Sequence, residues 1–168
     1  VIDLLGLQSL TVPISQMADP LFERFPEAGP VRRGNVMARL RMICLYDQSE
    51  EWHGLVVGTS NKTETLLGYT TIFGDSAAAV QPIADLYKRQ VRQLARALGV
   101  PDSVLTKAPS ADLWAGQTDE GELGFTYDQA DQILYLLVDR RYSAEEVAAC
   151  GFDPDVVRRV LRLIRQNQ

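Results

Sequence analysis

The apolar positions of the chain fall mostly into helical spacing, interrupted by two short runs of strand type. "VIDLLGL" reads as the end of a helix stopped by Gly6. "QSLTVPI" reads as a short strand. "SQMADPLFERF" predicts a helix after a Ser15 cap, with Pro20 as a break or a new start, and "PEAGP" is a turn. Residues 34–49 put Val36, Leu40, Ile43 and Asp47 on one face with Arg39 close to it, which is a helix with a mostly apolar stripe. "HGLVVGT" predicts a strand buried on both faces, as in parallel sheets. The polar cluster 59–64 then opens another helix. In "DLYKRQVRQLARALG", Leu86, Val91, Leu94 and Leu98 line one side, and Gly99 and Pro101 end the run. The last third is helical: Ser143 and Glu146 have capping-box spacing, Gly151 stops that helix, and Asp153 and Pro154 start the next.

Helices alternating with strands in this order predict an α/β domain with a doubly wound, mostly parallel sheet, one domain over residues 1–168. Only two strands are visible, and the helical last third cannot supply more. An opening in mid-helix leads us to expect that the first strand lies upstream of the sequence given. Residues 107–127 have no period and are rich in Gly, Pro and acids. Segments of this kind inside a compact domain are usually functional or disordered, and a mobile lid is expected here.

Composition narrows the function classes. An apolar content of 46% and a charged content of 23% are those of an ordinary globular protein, and no apolar run reaches the roughly 20 residues of a membrane span. No leader-type segment opens the chain, so a cytoplasmic location and no membrane partner are expected. The net charge of −5 disfavours wrapping nucleic acid, although a few local cations suffice for a nucleotide. Cys44 and Cys150 read as two buried, reduced thiols, and with the single His53 they make no zinc site. His53 has no partners for a nucleophilic triad.

The chemistry concentrates where the strand 53–59 meets the next helix, since ligands of parallel α/β sheets sit at the carboxyl ends of strands. Thr59 and Ser60 offer hydroxyls, backbone N–H groups attract anions, and Glu64 offers a carboxylate able to share Mg2+ with phosphates. Asn61 with Glu64 three residues on is equally a capping box. Lys88 can reach a phosphate or stand solvated. Arg39 and Arg41, two apart on one helix, point in different directions. Asp119, Glu120 and Glu122 suit either a metal or a solvated loop. Tyr69, Phe73, Trp114 and Tyr127 suit either ring stacking or the core.

Four stretches resemble, in order, the NAD synthetase family of the ammonia-dependent bacterial type: "GNVMARLRM", "LVVGTSNKTETLLGYTTIFGD", "PIADLYKRQVRQLARALGVP" and "KAPSADLWAGQTDEGELGFTYDQAD". The resemblance implies an adenine nucleotide α-hydrolase fold, Rossmann-like, in a homodimer. It implies that ATP and Mg2+ activate the nicotinate carboxylate of deamido-NAD as an adenylate, from which ammonia displaces AMP to give NAD. By position, Arg39 would bind deamido-NAD, with Asp75 a weaker candidate. Thr59, Lys88 and Ser110 would bind ATP, Lys88 also serving catalysis, and Glu64 would ligate Mg2+. Met37 and Leu45, off the main stripe of their helix, would be buried against a second copy.

The sequence departs from many members of that family at Ile72 and Ala79, where they carry a lysine and an aspartate that touch deamido-NAD. The pyrophosphate loop Ser-Gly-Gly-x-Asp-Ser and a C-terminal Lys-Arg segment do not occur in it. A glutamine-dependent synthetase and a non-catalytic nucleotide-binding relative are the alternative readings. A remoter one is a helix-turn-helix DNA-binding protein, from "YSAEEVAACGFDPDVVRRVLRLI" and its Arg158, Arg159, Arg162 and Arg165.

Overall fold

The computed structural model describes residues 2–111, 113–114 and 116–166. Among them, ten α-helices and one π-helical turn alternate with extended and irregular segments. The first four helices are α1 (Ile2–Leu5), α2 (Ser15–Arg24), α3 (Pro30–Glu51) and α4 (Lys62–Leu67). Then come α5 (Lys88–Ala97), α6 (Asp102–Leu105), α7 (Asp119–Leu123) and α8 (Tyr127–Leu134). Helix α8 runs on into the π turn Tyr135–Asp139, followed by α9 (Ala144–Ala149) and α10 (Pro154–Gln166).

The two expected strands fare differently. Residues 7–14 take up no regular structure. The run around Val56 and Val57 forms one parallel bridge, Val57 to Val80. Val80 N donates to Val56 O at 3.3 Å and Gly58 N donates to Val80 O at 2.8 Å, the slanted pattern of a parallel pair. This run is buried on one face rather than both: Val56 is 7% exposed, Leu55 72% and Val57 57%. Gly58 is required by close approach, because a Cβ there would lie 2.7 Å from Ala78 Cβ.

The core gathers around α8 and α10. Tyr127, Ala130, Ile133 and Leu134 of α8 pack with Val157, Val160 and Ile164 of α10, Val147 of α9, Leu67 of α4, and Leu123 and Phe125. Local signals account for these helices. Ser143 accepts the N–H of Glu146 while Glu146 accepts that of Ser143, and Asp153 accepts that of Asp155. The face of α10 opposite its buried stripe carries the four arginines. Arg158 pairs with Asp155, and Arg159 donates to the Glu122 carbonyl oxygen at 3.2 Å.

Several expectations are corrected. Ser15 is the first helical residue rather than the cap, Ile14 holds the N-cap position without a side-chain bond, and α2 runs through Pro20. The buried residues of α3 are Gly34 and Ala38, whereas Ile43 of the anticipated stripe is 54% exposed. Apolar spacing defined the helix, but the small residues let it approach its neighbours: Leu113 Cδ1 lies 2.7 Å from where a Gly34 Cβ would be. Cys150 is exposed and Cys44 half-buried, so neither is a core thiol. The segment 107–127 is not irregular throughout, because α7 and the start of α8 fall inside it.

Candidate functional site

Two helix starts lie side by side. Asn61 caps α4: its Oδ1 accepts Glu64 N at 3.0 Å, and Glu64 Oε2 accepts Asn61 N at 3.1 Å. The capping reading of Glu64 therefore holds, and the same carboxylate does more. Its other oxygen, Oε1, accepts Lys88 Nζ at 2.7 Å. Gly68, with φ +65°, ends this short helix in the left-handed region that glycine adopts without strain. Helix α5 begins at Lys88, with Gln90 Oε1 accepting Tyr87 N at 2.8 Å.

Two bonds lock the helix starts together. Lys62 N donates to Leu86 O at 2.9 Å, and Lys88 N donates to Thr63 Oγ1 at 2.9 Å. Beneath them Asp131 of α8, 5% exposed, accepts Thr63 Oγ1 at 2.5 Å and Arg89 N at 2.7 Å. A buried carboxylate at the positive end of α5 thus takes N–H groups the helix cannot satisfy itself. Burial raises the Asp131 pKa, and its hydrogen bonds from Thr63 and Arg89 oppose that rise.

Lys88 Nζ also stands 5.1 Å from the centre of the Tyr127 ring. The Tyr127 hydroxyl donates to Asp119 Oδ2 at 2.8 Å, and the Tyr69 hydroxyl donates to Asp119 Oδ1 at 3.1 Å. Burial first, then Asp119, drives both phenols well above their usual range, so both remain donors. Asp119 is 5% exposed, not solvated. Glu120 accepts Tyr127 N at 2.9 Å and Glu122 accepts Gln117 Nε2 at 2.8 Å. Asp119 and Glu120 thus organise the loop they occupy, whereas Glu122, although bonded to Gln117, is exposed as the solvated reading expects. Of the four aromatics, Tyr127 is core, Tyr69 and Trp114 are half-buried on the cleft, and Phe73 is 71% exposed.

A cleft of about 810 Å³ opens beside these helix starts. Thr59, Glu64, Asp75, Lys88 and Ser110 all border it, as does Arg41. Five of the six expected site residues are thus brought together across 51 positions of sequence, from residue 59 to residue 110. The sixth, Arg39, does not border the cleft, and its Nε donates to the Ile72 carbonyl oxygen at 3.2 Å. Asp75 accepts Thr70 Oγ1 at 2.7 Å and Thr71 N at 2.8 Å, closing a turn at the cleft edge. Asn61, Thr63, Asp119 and Asp131 support the site; the sequence marked Asn61 by its capping spacing and Asp119 among three candidate acids, but gave no signal for Thr63 or Asp131.

The family model described as NAD synthase matches residues 1–168. The chain belongs to the NAD synthase family. Curated relatives in this family include the NH(3)-dependent NAD(+) synthetases of Chlorobaculum parvum, 51% identical over 99% of the chain, and of Trichlorobacter lovleyi, 52% identical over 96%. The chain spans about 60% of the length of these curated relatives. Among solved structures, an NMN synthetase from Francisella tularensis superposes with TM-score 0.86 at 33% identity, over 99% of this chain and 65% of that one. An NH3-dependent NAD synthetase from Campylobacter jejuni, in complex with nitrate ion, superposes with TM-score 0.79 at 30% identity, over 99% and 63%. Among the described residues, no helix of this family member is long and apolar enough to cross a membrane.

Proposed function

We propose that the complete protein makes NAD from deamido-NAD, ATP and ammonia, through an adenylate on the nicotinate carboxylate. The observation that carries this reading is the convergence of Thr59, Glu64, Lys88 and Ser110 on one cleft at paired helix starts. Adenylation brings a carboxylate against a triphosphate, and the site must neutralise that charge while orienting both reactants. Lys88 serves as the cation at the phosphates and stabilises charge developing on them. Thr59 and Ser110 bind ATP through their hydroxyls. Asp75 and Arg39 hold deamido-NAD. Ammonia attacks the adenylate carbonyl and AMP leaves, so no covalent enzyme nucleophile is needed.

Glu64 is the residue that would hold Mg2+. Among the described residues no group of three or more His, Cys, Asp or Glu side chains is arranged for a metal ion. One carboxylate facing a cleft still fits Mg2+, which commonly takes one or two protein carboxylates and completes its shell with water and phosphate oxygens. When bound, the ion supplies charge neutralisation at the phosphates.

The same proposal includes a doubly wound sheet of the adenine nucleotide α-hydrolase type, a cytoplasmic location and a homodimer. Exposed Ile43 and Leu45 on α3 support the last. A monomer by sedimentation at micromolar protein would overturn it. The amide-forming reading is tested by following NAD formation by the complete protein with ATP, Mg2+ and either ammonium or glutamine. Ammonium alone is expected to support turnover. One observation favours a second substrate: the structural match to the Francisella tularensis NMN synthetase. The same assay with nicotinate mononucleotide decides it, since faster turnover of the mononucleotide would reassign the substrate while keeping the chemistry.

A further inference from the structure

The cleft is lined by two pieces of chain that are distant in sequence. One is the pair of helix starts with Glu64 and Lys88. The other is the run 107–111, which includes Ser110 and has no regular structure of its own. Something must hold the second piece against the first, and one buried carboxylate stands between them.

Asp119 opens α7 and uses three groups in three directions. Its backbone N–H donates to the Pro109 carbonyl oxygen at 3.0 Å, next to Ser110. Its Oδ2 accepts the Tyr127 hydroxyl at 2.8 Å, and its Oδ1 accepts the Tyr69 hydroxyl at 3.1 Å. Tyr127 is 1% exposed, and its ring lies under the Lys88 ammonium at 5.1 Å. Tyr69 follows directly on the end of α4, its N–H donating to the Glu64 carbonyl oxygen at 2.9 Å. An unbroken run of contacts therefore passes from Glu64 and Lys88 through the two tyrosines to Asp119, and from there to Pro109. A second strand of it continues from Tyr69 to Glu122 at 3.3 Å, on to Gln117, and to Leu113 N at 2.8 Å.

We infer that Asp119 and Tyr127 are positioning residues that tether the Ser110 segment to the Lys88 helix start, so that the nucleotide site is assembled before ATP arrives. Asp119 borders the cleft, but both its oxygens are taken by the tyrosine hydroxyls and it is only 5% exposed; Tyr127 does not border the cleft and stands under Lys88 with its ring. The inference rests on the reading of the cleft as an ATP site. It also replaces the expectation of a lid that is mobile along its whole length. The part from residue 117 onward is anchored in the core, and its anchor Asp119 holds Pro109, next to Ser110.

The physical case is one of selection by burial. A carboxylate removed from water with no cation against it survives only if its lone pairs are filled by strong donors. Tyr69 and Tyr127 fill them, one from just beyond the end of α4 and the other from the start of α8. Losing one donor leaves a buried charge half satisfied, and the loop relieves that by moving out toward water.

The test uses the complete protein as Tyr127→Phe, Asp119→Ala and the double variant. It reads the ATP dissociation constant, steady-state KM and kcat, and hydrogen exchange across residues 107–118. Tyr127→Phe keeps the ring under Lys88 and removes only the hydroxyl. It is expected to weaken ATP binding about tenfold, the size of one lost hydrogen bond to a charge, and to speed exchange in 107–118 while α8 and α10 stay protected. KM for deamido-NAD is expected to stay within about twofold, and the double variant to be no worse than Asp119→Ala alone, since the pair acts as one unit. Should Asp119→Ala not fold, Tyr69→Phe removes the other donor and is expected to give the same pattern more weakly. Unchanged exchange in 107–118 of Tyr127→Phe overturns the tether whatever the enzyme's activity. Wild-type protein that binds ATP yet amidates neither deamido-NAD nor nicotinate mononucleotide overturns the functional reading instead, while ATP affinity and exchange still judge the tether.

Discussion

The C-terminal third and the first 57 residues treat their apolar side chains in opposite ways. In the first, Ala130, Ile133, Leu134, Val147 and Val160 are each completely buried. In the second, Leu4, Leu5, Val31, Ile43, Leu45, Leu55 and Val57 are all more than half exposed, Leu55 reaching 72%. Composition does not separate them, since both are rich in Leu, Ile and Val. The difference lies in where the partners are. Helices α8, α9 and α10 follow one another by short connections and bury their stripes against each other and against α4. The single parallel bridge and the long helix α3 present faces that nothing within the described residues covers. Exposed apolar patches of this kind mark interaction surfaces, and the proposed homodimer gives the α3 face an occupant.

The comparison breaks most decisively if truncation costs the same in both regions. Ile133→Ala is expected to lose about 4 kcal/mol of stability, because Ile133 is completely buried in the core cluster and the cavity cannot collapse. Ile43→Ala, measured in the same urea titration at protein concentrations that keep it monomeric, is expected to stay within about 0.5 kcal/mol. Equal losses would mean that the α3 face is covered after all.

Next in size is the site that joins the regions. Glu64→Gln in the complete protein is expected to cut NAD formation about a hundredfold, as loss of a group that stabilises reacting charge does. Its stability should fall by only about 1 kcal/mol, the cost of a weakened cap. Near-normal turnover at saturating Mg2+ would return Glu64 to a capping role alone.

Two carboxylates of the well-packed region should titrate with opposite sign. Burial raises Asp131 above the ordinary value of 3.8, so in the native state it holds its proton to higher pH than in the unfolded chain. Its contribution is most favourable below 3.8 and is lost as pH rises through the folded pKa. Asp139 is lowered, first by its bond from Lys62 at 2.8 Å and then by Tyr87, so its stabilisation is present above 3.8 and is lost as pH falls through the folded pKa. Unfolding titrations of Asp139→Asn against wild type should differ by less than about 1 kcal/mol near neutrality, as expected of a partly exposed pair at the surface, and should converge in acid. A gap that widens in acid would contradict the sign.

A last contrast, also of about 1 kcal/mol or less, sets two serines side by side. Ser143→Ala is expected to cost about 1 kcal/mol, because its hydroxyl caps α9 and completes a reciprocal pair with Glu146. Ser15→Ala should cost nothing measurable, since Ser15 sits inside α2 and Ile14 occupies the cap position. Thermal unfolding of the two variants side by side separates them.

By itself the sequence determined what nearest neighbours decide, and it singled out residues that the fold brings to one cleft. Capping pairs three residues apart, such as Ser143 with Glu146 and Asn61 with Glu64, form because the partners meet within one helical turn whatever surrounds them. The stops at Gly6 and Gly151 are equally local, each with a positive φ of 61° and 97°. The ordered motifs carried Thr59, Glu64, Lys88 and Ser110, which is why the cleft was legible before its geometry was. Tertiary structure alone decided which apolar faces are covered, and so left Leu55 and Val57 beside the buried Val56, and Ile43 of the α3 stripe, exposed. It also decided that Asp119 and Asp131, ordinary acids in sequence, are buried anchors. Asp131 meets Thr63 across 68 positions of chain, and Asp119 meets Tyr69 across 50. No periodicity encodes such meetings, because a buried carboxylate is placed by the donors that converge on it from separate elements.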